Sequence, residues 1–593
     1  MSEAPPAPAV AGRRVSLAIW ASWDVPVGFA TEGMNRVVAF LVEGAAVSRR
    51  VTLHVCVRPV NEAPARAMLE ALRAKEGEDW TLHVIQDDAY RGLRHRLTPY
   101  AKSMLALSDR RMGQALFAAG LLALPFLMAR TLLRPVWRLA LKSGLRLAVA
   151  ALRDPMQAVP AITSGLRRLR LSAMVRFANE LDRWAQIRRA QLEPRKAYLS
   201  VAAPTSGLIG ARHGASVLAR PVRVAGLDPA RVDAWLSLMS NMIVPPALPG
   251  RRAMMLPDAL MLDFGSNWTR RDTLPDGWMT NWLRLVKQNA ETSSAIVTFS
   301  AHVARQHGVE RLGLDPSKMK IVPCAPYDLK PSMPFLAADR RRTPESRLQA
   351  ATLLRSFARQ RDWRYLSDFP LEHVDYVAVS TAERPSKNLS LVVEALRILV
   401  QDRFTGTKLL MTTTLHEDPD TPAFRCGKLI RDHGLALDAL SVPVLPNSEH
   451  AAFYHAAAVT VHASFFEGVD TPLPFSESVS VGTPCIMARG PHTEEMLQRF
   501  PRLAPFVFDP YDPEALADSI QDAIARREEI LDIQLSVYAQ MQKRSWSRVV
   551  EEYATAATGI PLTPVETLDG LCREPPLLGD EQVGPARRRI AQQ

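Results

Sequence analysis

The chain is poor in cysteine. Its 593 residues hold five (Cys56, Cys324, Cys426, Cys485 and Cys572), with no C-x-x-C pair and no histidine at ligand spacing. That argues against a disulfide framework or a zinc site of that kind and fits a reducing compartment. There is no G-x-G-x-x-G fingerprint, so the first glycine-bearing loop is only a weak dinucleotide signal. No apolar run reaches the roughly twenty residues that a spanning helix needs. The longest, Met112–Ala129, has eighteen uncharged residues and contains Pro125. The opening MSEAPPAPAVAGRR is polar and proline-rich. It is expected to be disordered over 1–14 and not to be a signal peptide.

What is present is globular. Hydrophobic residues make up 47% and charged residues 23%, and the length calls for two to four domains. The net charge is +12, and residues 101–200 alone carry eighteen Lys and Arg against five Asp and Glu. Any basic partner surface is therefore confined to that stretch.

Along the chain, VSLAIWA (15–21) reads as a first strand. A loop with Gly28 and Gly33 follows, then the apolar-periodic helix RVVAFLVEGA, and further strands at 51–57 and 80–86. This alternation predicts a parallel sheet. Residues 100–198 break it with helical signal alone. There Arg130, Arg134, Arg138, Lys142 and Arg146 recur every four residues beside Leu133, Trp137, Leu141 and Leu145. A cationic stripe along an apolar face describes a helix lying on an anionic bilayer, here over 110–153. Leucine and alanine, not stacking aromatics, interleave the arginines, which argues against nucleic acid as partner. From 199 the α/β pattern returns: a helix at DPARVDAWLSLMSN, a strand at ALMLDFGSNW (259–268), then strand, Ser300 as helix cap, helix and strand over 295–328. Residues 331–370 read as a linker with a helix, and VDYVAVS (374–380) opens a second domain. One long helix is expected near 538–557 and a tail over 561–593.

The centre of the chain is VHASFFEGVDTPLPFSESVSVGTP (461–484). A β-branched strand leads to a loop with Glu467 and Gly468. A helix is expected from Phe475, with Glu477 in its first turn, ending at Gly482-Thr483-Pro484. A helix start suits a phosphate, and carboxylates beside it suit sugar or ribose hydroxyls. Those are the chemical needs of a nucleotide-sugar site. No Asp-x-Asp pair stands at this site, and no metal or cofactor is expected.

The stretch resembles the donor signature of retaining glycosyltransferases of family four, which have the GT-B fold. Ser464, Glu467, Gly468, Glu477 and Gly482-Thr483-Pro484 match, with nine residues between the glutamates where the family usually has seven. A second match is the basic pair Arg384 and Lys387 before Asn388 and a helix. The resemblance implies an α/β enzyme of two Rossmann-like domains facing a cleft. The first, acceptor-side domain would span 15–330 with the helical insertion. The donor-binding domain would span 371–545, and a crossover helix would end over 546–560. It implies that Lys387 and Arg384 hold a diphosphate, Glu467 meets sugar hydroxyls and Glu477 the ribose. The backbone of Gly468, Val469 and Asp470 would approach the donor, with Gly33 facing it from the first domain and Asp263 on the acceptor side. The expected activity is transfer of a sugar from a nucleoside-diphosphate sugar to a glycan or lipid-linked acceptor, at the inner, cytoplasmic face of a membrane. The alternative is a catalytically inactive GT-B protein acting in assembly or binding.

Overall fold

The computed structural model describes residues 13–23, 33–87, 222–264, 278–382, 384–413, 426–442 and 445–568. The basic insertion expected over 100–198, the membrane helix at 110–153, Gly28 and the tail beyond 568 lie outside these residues.

The strands of the first domain's sheet include β1 (Val15–Ala21), β2 (Val51–Val57), β3 (Trp80–Asp87), β4 (Ala234–Ser237), β5 (Arg251–Met255), β6 (Ala295–Thr298) and β7 (Met319–Ile321). They lie in the order β7-β6-β5-β4-β1-β2-β3, and the described pairings among them are parallel, with Ile19 opposite Val55 on one side and Leu236 on the other. All seven residues of β1 are buried, as a central strand covered on both faces requires. The order reverses between β1 and β4, so the C-terminal ends of these two strands flank a switch point, where such sheets bind ligands.

The second domain repeats this order with β8 (Tyr376–Val379), β9 (Lys408–Met411), β10 (Ala439–Ser441), β11 (Val459–His462), β12 (Cys485–Ala488) and β13 (Val507–Phe508), arranged β10-β9-β8-β11-β12-β13 and parallel throughout. Its switch point lies between β8 and β11. The loops that leave those two strands carry Lys387 and Glu467. One face of this sheet is covered by residues 329–371. Leu336, Leu354 and Phe369 pack there with Tyr376, Phe453 and Tyr454, so the stretch expected as a linker is a structural layer of the core.

Several local expectations are corrected. DPARVDAWLSLMSN is not a helix. Pro229–Arg231 forms a short turn capped by Asp228, and Ala234–Ser237 is strand β4. Trp235 and Leu236 are fully buried in the sheet, and burial on two faces outweighs the helical spacing. The strand expected over 259–268 lies earlier, as β5; after Pro257 the Asp258 carboxylate accepts from the Leu260 amide at 3.0 Å, and a short helix, Leu260–Asp263, follows. The helix of the central stretch begins at Leu473, not Phe475, which puts Glu477 in its second turn. The C-terminal helix is two, Arg527–Met541 and Trp546–Thr558, separated where the Ser545 hydroxyl caps the second. That second helix packs on the first domain's helix Gly33–Ser48. A side chain on Gly44 would stand 2.3 Å from the Trp546 carbonyl, so glycine permits this approach. Finally β14 (Glu566–Thr567) pairs antiparallel with β7.

Candidate functional site

After β8 the chain makes a short turn, Pro385–Lys387, and reaches Asn388 at φ 53°. Asparagine tolerates this left-handed conformation, and its side-chain amide donates to the Pro510 carbonyl at 2.8 Å. The turn delivers the Lys387 ammonium to Glu467 Oε1 at 2.5 Å. Both side chains are about one-fifth exposed, so the pair is partly desolvated and open to one side. His462 Nε2, at the end of β11, lies 3.3 Å from the same carboxylate oxygen. Burial alone would raise the Glu467 carboxyl, but Lys387, followed by His462, holds it well below the usual carboxylate range. Arg384 precedes the turn in extended backbone, half-buried.

Glu477 is buried and engaged at both oxygens. Arg36, on the helix that starts at Gly33, donates to Oε1 at 2.5 Å. The Tyr454 hydroxyl donates to Oε2 at 3.0 Å. Burial, the largest single influence, raises this carboxyl too, yet Arg36, with His450 and the Tyr454 hydroxyl, brings the net shift downward. The Arg36 guanidinium also lies over the Tyr327 and Phe40 rings at 5.4 and 5.8 Å.

The loop between the glutamates is clamped to the first domain. Phe466 sits in the hydrophobic cluster of Met254, Leu256, Val303 and Ala304. His302 donates from Nε2 to the Glu467 carbonyl at 2.9 Å, and Ser300 Oγ donates to the Gly468 carbonyl at 2.7 Å. A side chain on Gly468 would come within 2.2 Å of the Pro257 carbonyl. Asp470 is buried against Arg499, and burial pushes its carboxyl up to about 6 despite that arginine. Val469 is half-buried beside it.

Asp263 lies apart from the carboxylate pair. It accepts from His307 Nε2 at 2.8 Å and pairs with Arg311. The His307 ring stacks on Phe466 with centroids 4.6 Å apart, which is its link to the central loop. Gly33 is exposed, with open space where a side chain would be. The structure thus brings Lys387, Glu467 and Gly468 together, places Glu477 with the helix that begins at Gly33, and holds Asp263 in a neighbouring cluster. Arg36, Tyr454, Ser300, His302, Phe466 and Glu495 take part without having been singled out for the site. Only Ser300 carried a sequence signal, as a helix cap. Among the described residues, no group of three or more His, Cys, Asp and Glu is placed to hold a metal, and no helix is long and apolar enough to cross a membrane.

Residues 371–540 match the family model described as glycosyl transferases group 1. With two sheets of Rossmann order, the chain is a GT-B protein whose second domain is a glycosyltransferase domain. No curated protein matches the chain. Among solved structures it is similar to the sucrose-phosphate synthase of Thermosynechococcus elongatus, at 12% identity over 91% of this chain and 98% of that one, with a TM-score of 0.45. It is also similar to Anabaena HepE in complex with UDP and glucose, at 10% identity over 92% and 100%, with a TM-score of 0.48. A third is a glycosyltransferase from Rickettsia africae, at 11% identity over 93% and 100%, with a TM-score of 0.46.

Proposed function

We propose that this glycosyltransferase moves a sugar, with retention, from a nucleoside-diphosphate sugar to a glycan or lipid-linked acceptor at a membrane surface. The observation that carries the reading is the Lys387–Glu467 pair at the switch point of the second sheet. Ligands of such sheets bind at that edge. A lysine there, with Arg384 at the start of its turn, suits the charge that builds on a departing diphosphate. The open side of the Glu467 carboxylate suits sugar hydroxyls, and Glu477 takes the ribose by exchanging Arg36 or the Tyr454 hydroxyl for a ribose hydroxyl. The 468–470 backbone approaches the donor. Gly33 faces it from the first domain, and Asp263 serves the acceptor side.

A panel of UDP, GDP, ADP and their sugars, read by thermal shift, tests the donor assignment, because a ligand of the native state raises the melting temperature. Stabilisation by none of them would sink it. A second reading, an inactive GT-B protein that only binds, is favoured by one feature. Arg36 and Tyr454 already occupy both oxygens of Glu477. Release of free sugar from a bound donor would exclude this second reading. The membrane assignment rests on the basic stripe alone. Reversing Arg134, Arg138 and Lys142 to Glu is expected to release the protein from anionic liposomes, and salt-resistant pelleting would contradict that.

A further inference from the structure

The aim of the Glu467 carboxylate is fixed from two directions. Its side chain belongs to the second domain, through Lys387 and His462. Its backbone is held by the first. Three consecutive residues make that attachment: Phe466 by its ring, Glu467 by its carbonyl and Gly468 by its carbonyl.

At the middle of the attachment stands His302. Its side chain is only 7% exposed. Nε2 faces the Glu467 carbonyl at 2.9 Å, and Nδ1 faces Glu495 Oε2 at 2.8 Å. The carbonyl accepts the Nε2–H, and the other ring nitrogen is held against the Glu495 carboxyl, so both edges of the ring are engaged. Glu495 is itself fixed, since its two oxygens accept the backbone N–H groups of Ala301 and His302, each at 3.0 Å. A carboxylate over the amides that open a helical segment is a favourable arrangement. Here the carboxylate comes from the second domain and the amides from the first. The ring of Phe466 lies edge-on to His302 at 5.3 Å and stacked on His307 at 4.6 Å. It fills the space between the two histidines and leaves the 466–467 peptide little freedom to turn.

We propose that His302 is a positioning residue for Glu467. Bridging Glu495 and the Glu467 carbonyl through its two ring nitrogens, it ties the Glu467 backbone to the first domain, while Phe466 anchors the same loop in that domain's core. The inference rests on the reading of Glu467 as a donor-site residue. It goes beyond it by making the first domain responsible for where that carboxylate points. When the first domain is in place, the carboxylate is held beside Lys387. When it withdraws, the ion pair persists but the backbone that carries Glu467 is released.

Hydrogen exchange of the full chain tests this without assuming activity. In His302→Ala, the amides of 465–469 are expected to exchange about tenfold faster or more, while those of β1 stay as in the wild type. His302→Gln keeps one N–H donor toward the Glu467 carbonyl and is expected to restore most of the protection. With a competent donor, His302→Ala lowers kcat and leaves the donor KM near the wild-type value, and His302→Gln recovers part of kcat. Unchanged exchange over 465–469 in both variants overturns the inference, as does an equal rise over β1, which would reflect general loss of stability. Should His302→Ala fail to fold, Glu495→Gln, which weakens the Nδ1 bond, is expected to raise exchange over the same segment, and no rise there overturns the inference. If the wild type binds no nucleoside diphosphate, the transferase reading falls while the exchange result still decides the role of His302.

Discussion

Arg36 and Glu477 lie on different domains, 441 residues apart in sequence, and their side chains meet at 2.5 Å. Glu477 is 2% exposed and Arg36 about a quarter exposed. Removing one member leaves a buried charge without its partner, the costly way to break such a pair. Arg36→Gln is therefore expected to lower unfolding free energy by about 3 kcal/mol. Glu477→Gln should cost less after Arg36→Gln than before it, with a coupling of about 1–3 kcal/mol in a double-mutant cycle. Additive losses measured by urea unfolding would contradict the pairing.

The same pair sets a pH dependence. Glu477 has a lowered carboxyl in the folded protein, so its contribution is present above the ordinary glutamate range and is lost as pH falls through the folded value. The gap in unfolding free energy between wild type and Arg36→Gln should therefore narrow on acidification. A gap constant from pH 7 to pH 3 would contradict it.

Asp470 behaves in the opposite sense. Burial raises its carboxyl from 3.8 to about 6, so the folded protein holds that proton more tightly than the unfolded chain and stability from this group rises as pH falls from 6 toward 4. Asp470→Asn mimics the neutral acid. It is expected to be stabilising at pH 8, by up to about 3 kcal/mol for a shift of two units, and close to neutral at pH 4. Destabilisation by the variant at pH 8 would mean that Arg499 outweighs burial.

Gly468 tests the attachment of the central loop. A methyl group there meets the Pro257 carbonyl backbone at 2.2 Å, which cannot move as a side chain can. Gly468→Ala should cost turnover more than tenfold and raise exchange over 465–469, while nucleotide affinity, which draws on Lys387, changes little. Wild-type turnover would show that the close approach is not maintained during catalysis.

Much of the second domain was legible from sequence because its strands are short β-branched runs set off by Gly and Pro. Lys387 and Glu467 were singled out by resemblance to two family signatures, and the structure brings their side chains together, a contact that neither signature states. The first domain was read less well. Trp235 and Leu236 lie at helix-like spacing, yet the sheet buries them on both faces. Residues 331–370 look like a linker by their Pro, Arg and Asp content, but Leu354 and Phe369 enter the core. The partners of the site were not legible, because His302, Phe466 and Arg36 matter only through contacts between segments 165 to 441 residues apart. No local pattern reports such contacts. Glu477 looked like a free ribose ligand; Tyr454 reaches it from a neighbouring helix of its own domain and Arg36 from the first domain, and neither contact leaves a mark in local sequence.

The central claim is that a nucleoside diphosphate is held beside the Lys387–Glu467 pair. Titration calorimetry of UDP, GDP and ADP against the wild type and Lys387→Ala tests it most directly. The account predicts that one of the three binds the wild type and binds Lys387→Ala at least tenfold more weakly, the loss of a charge-assisted contact of about 1.5–3 kcal/mol, while circular dichroism shows the variant folded. Equal affinity in the two proteins, or no binding to the wild type by any of the three, would contradict it.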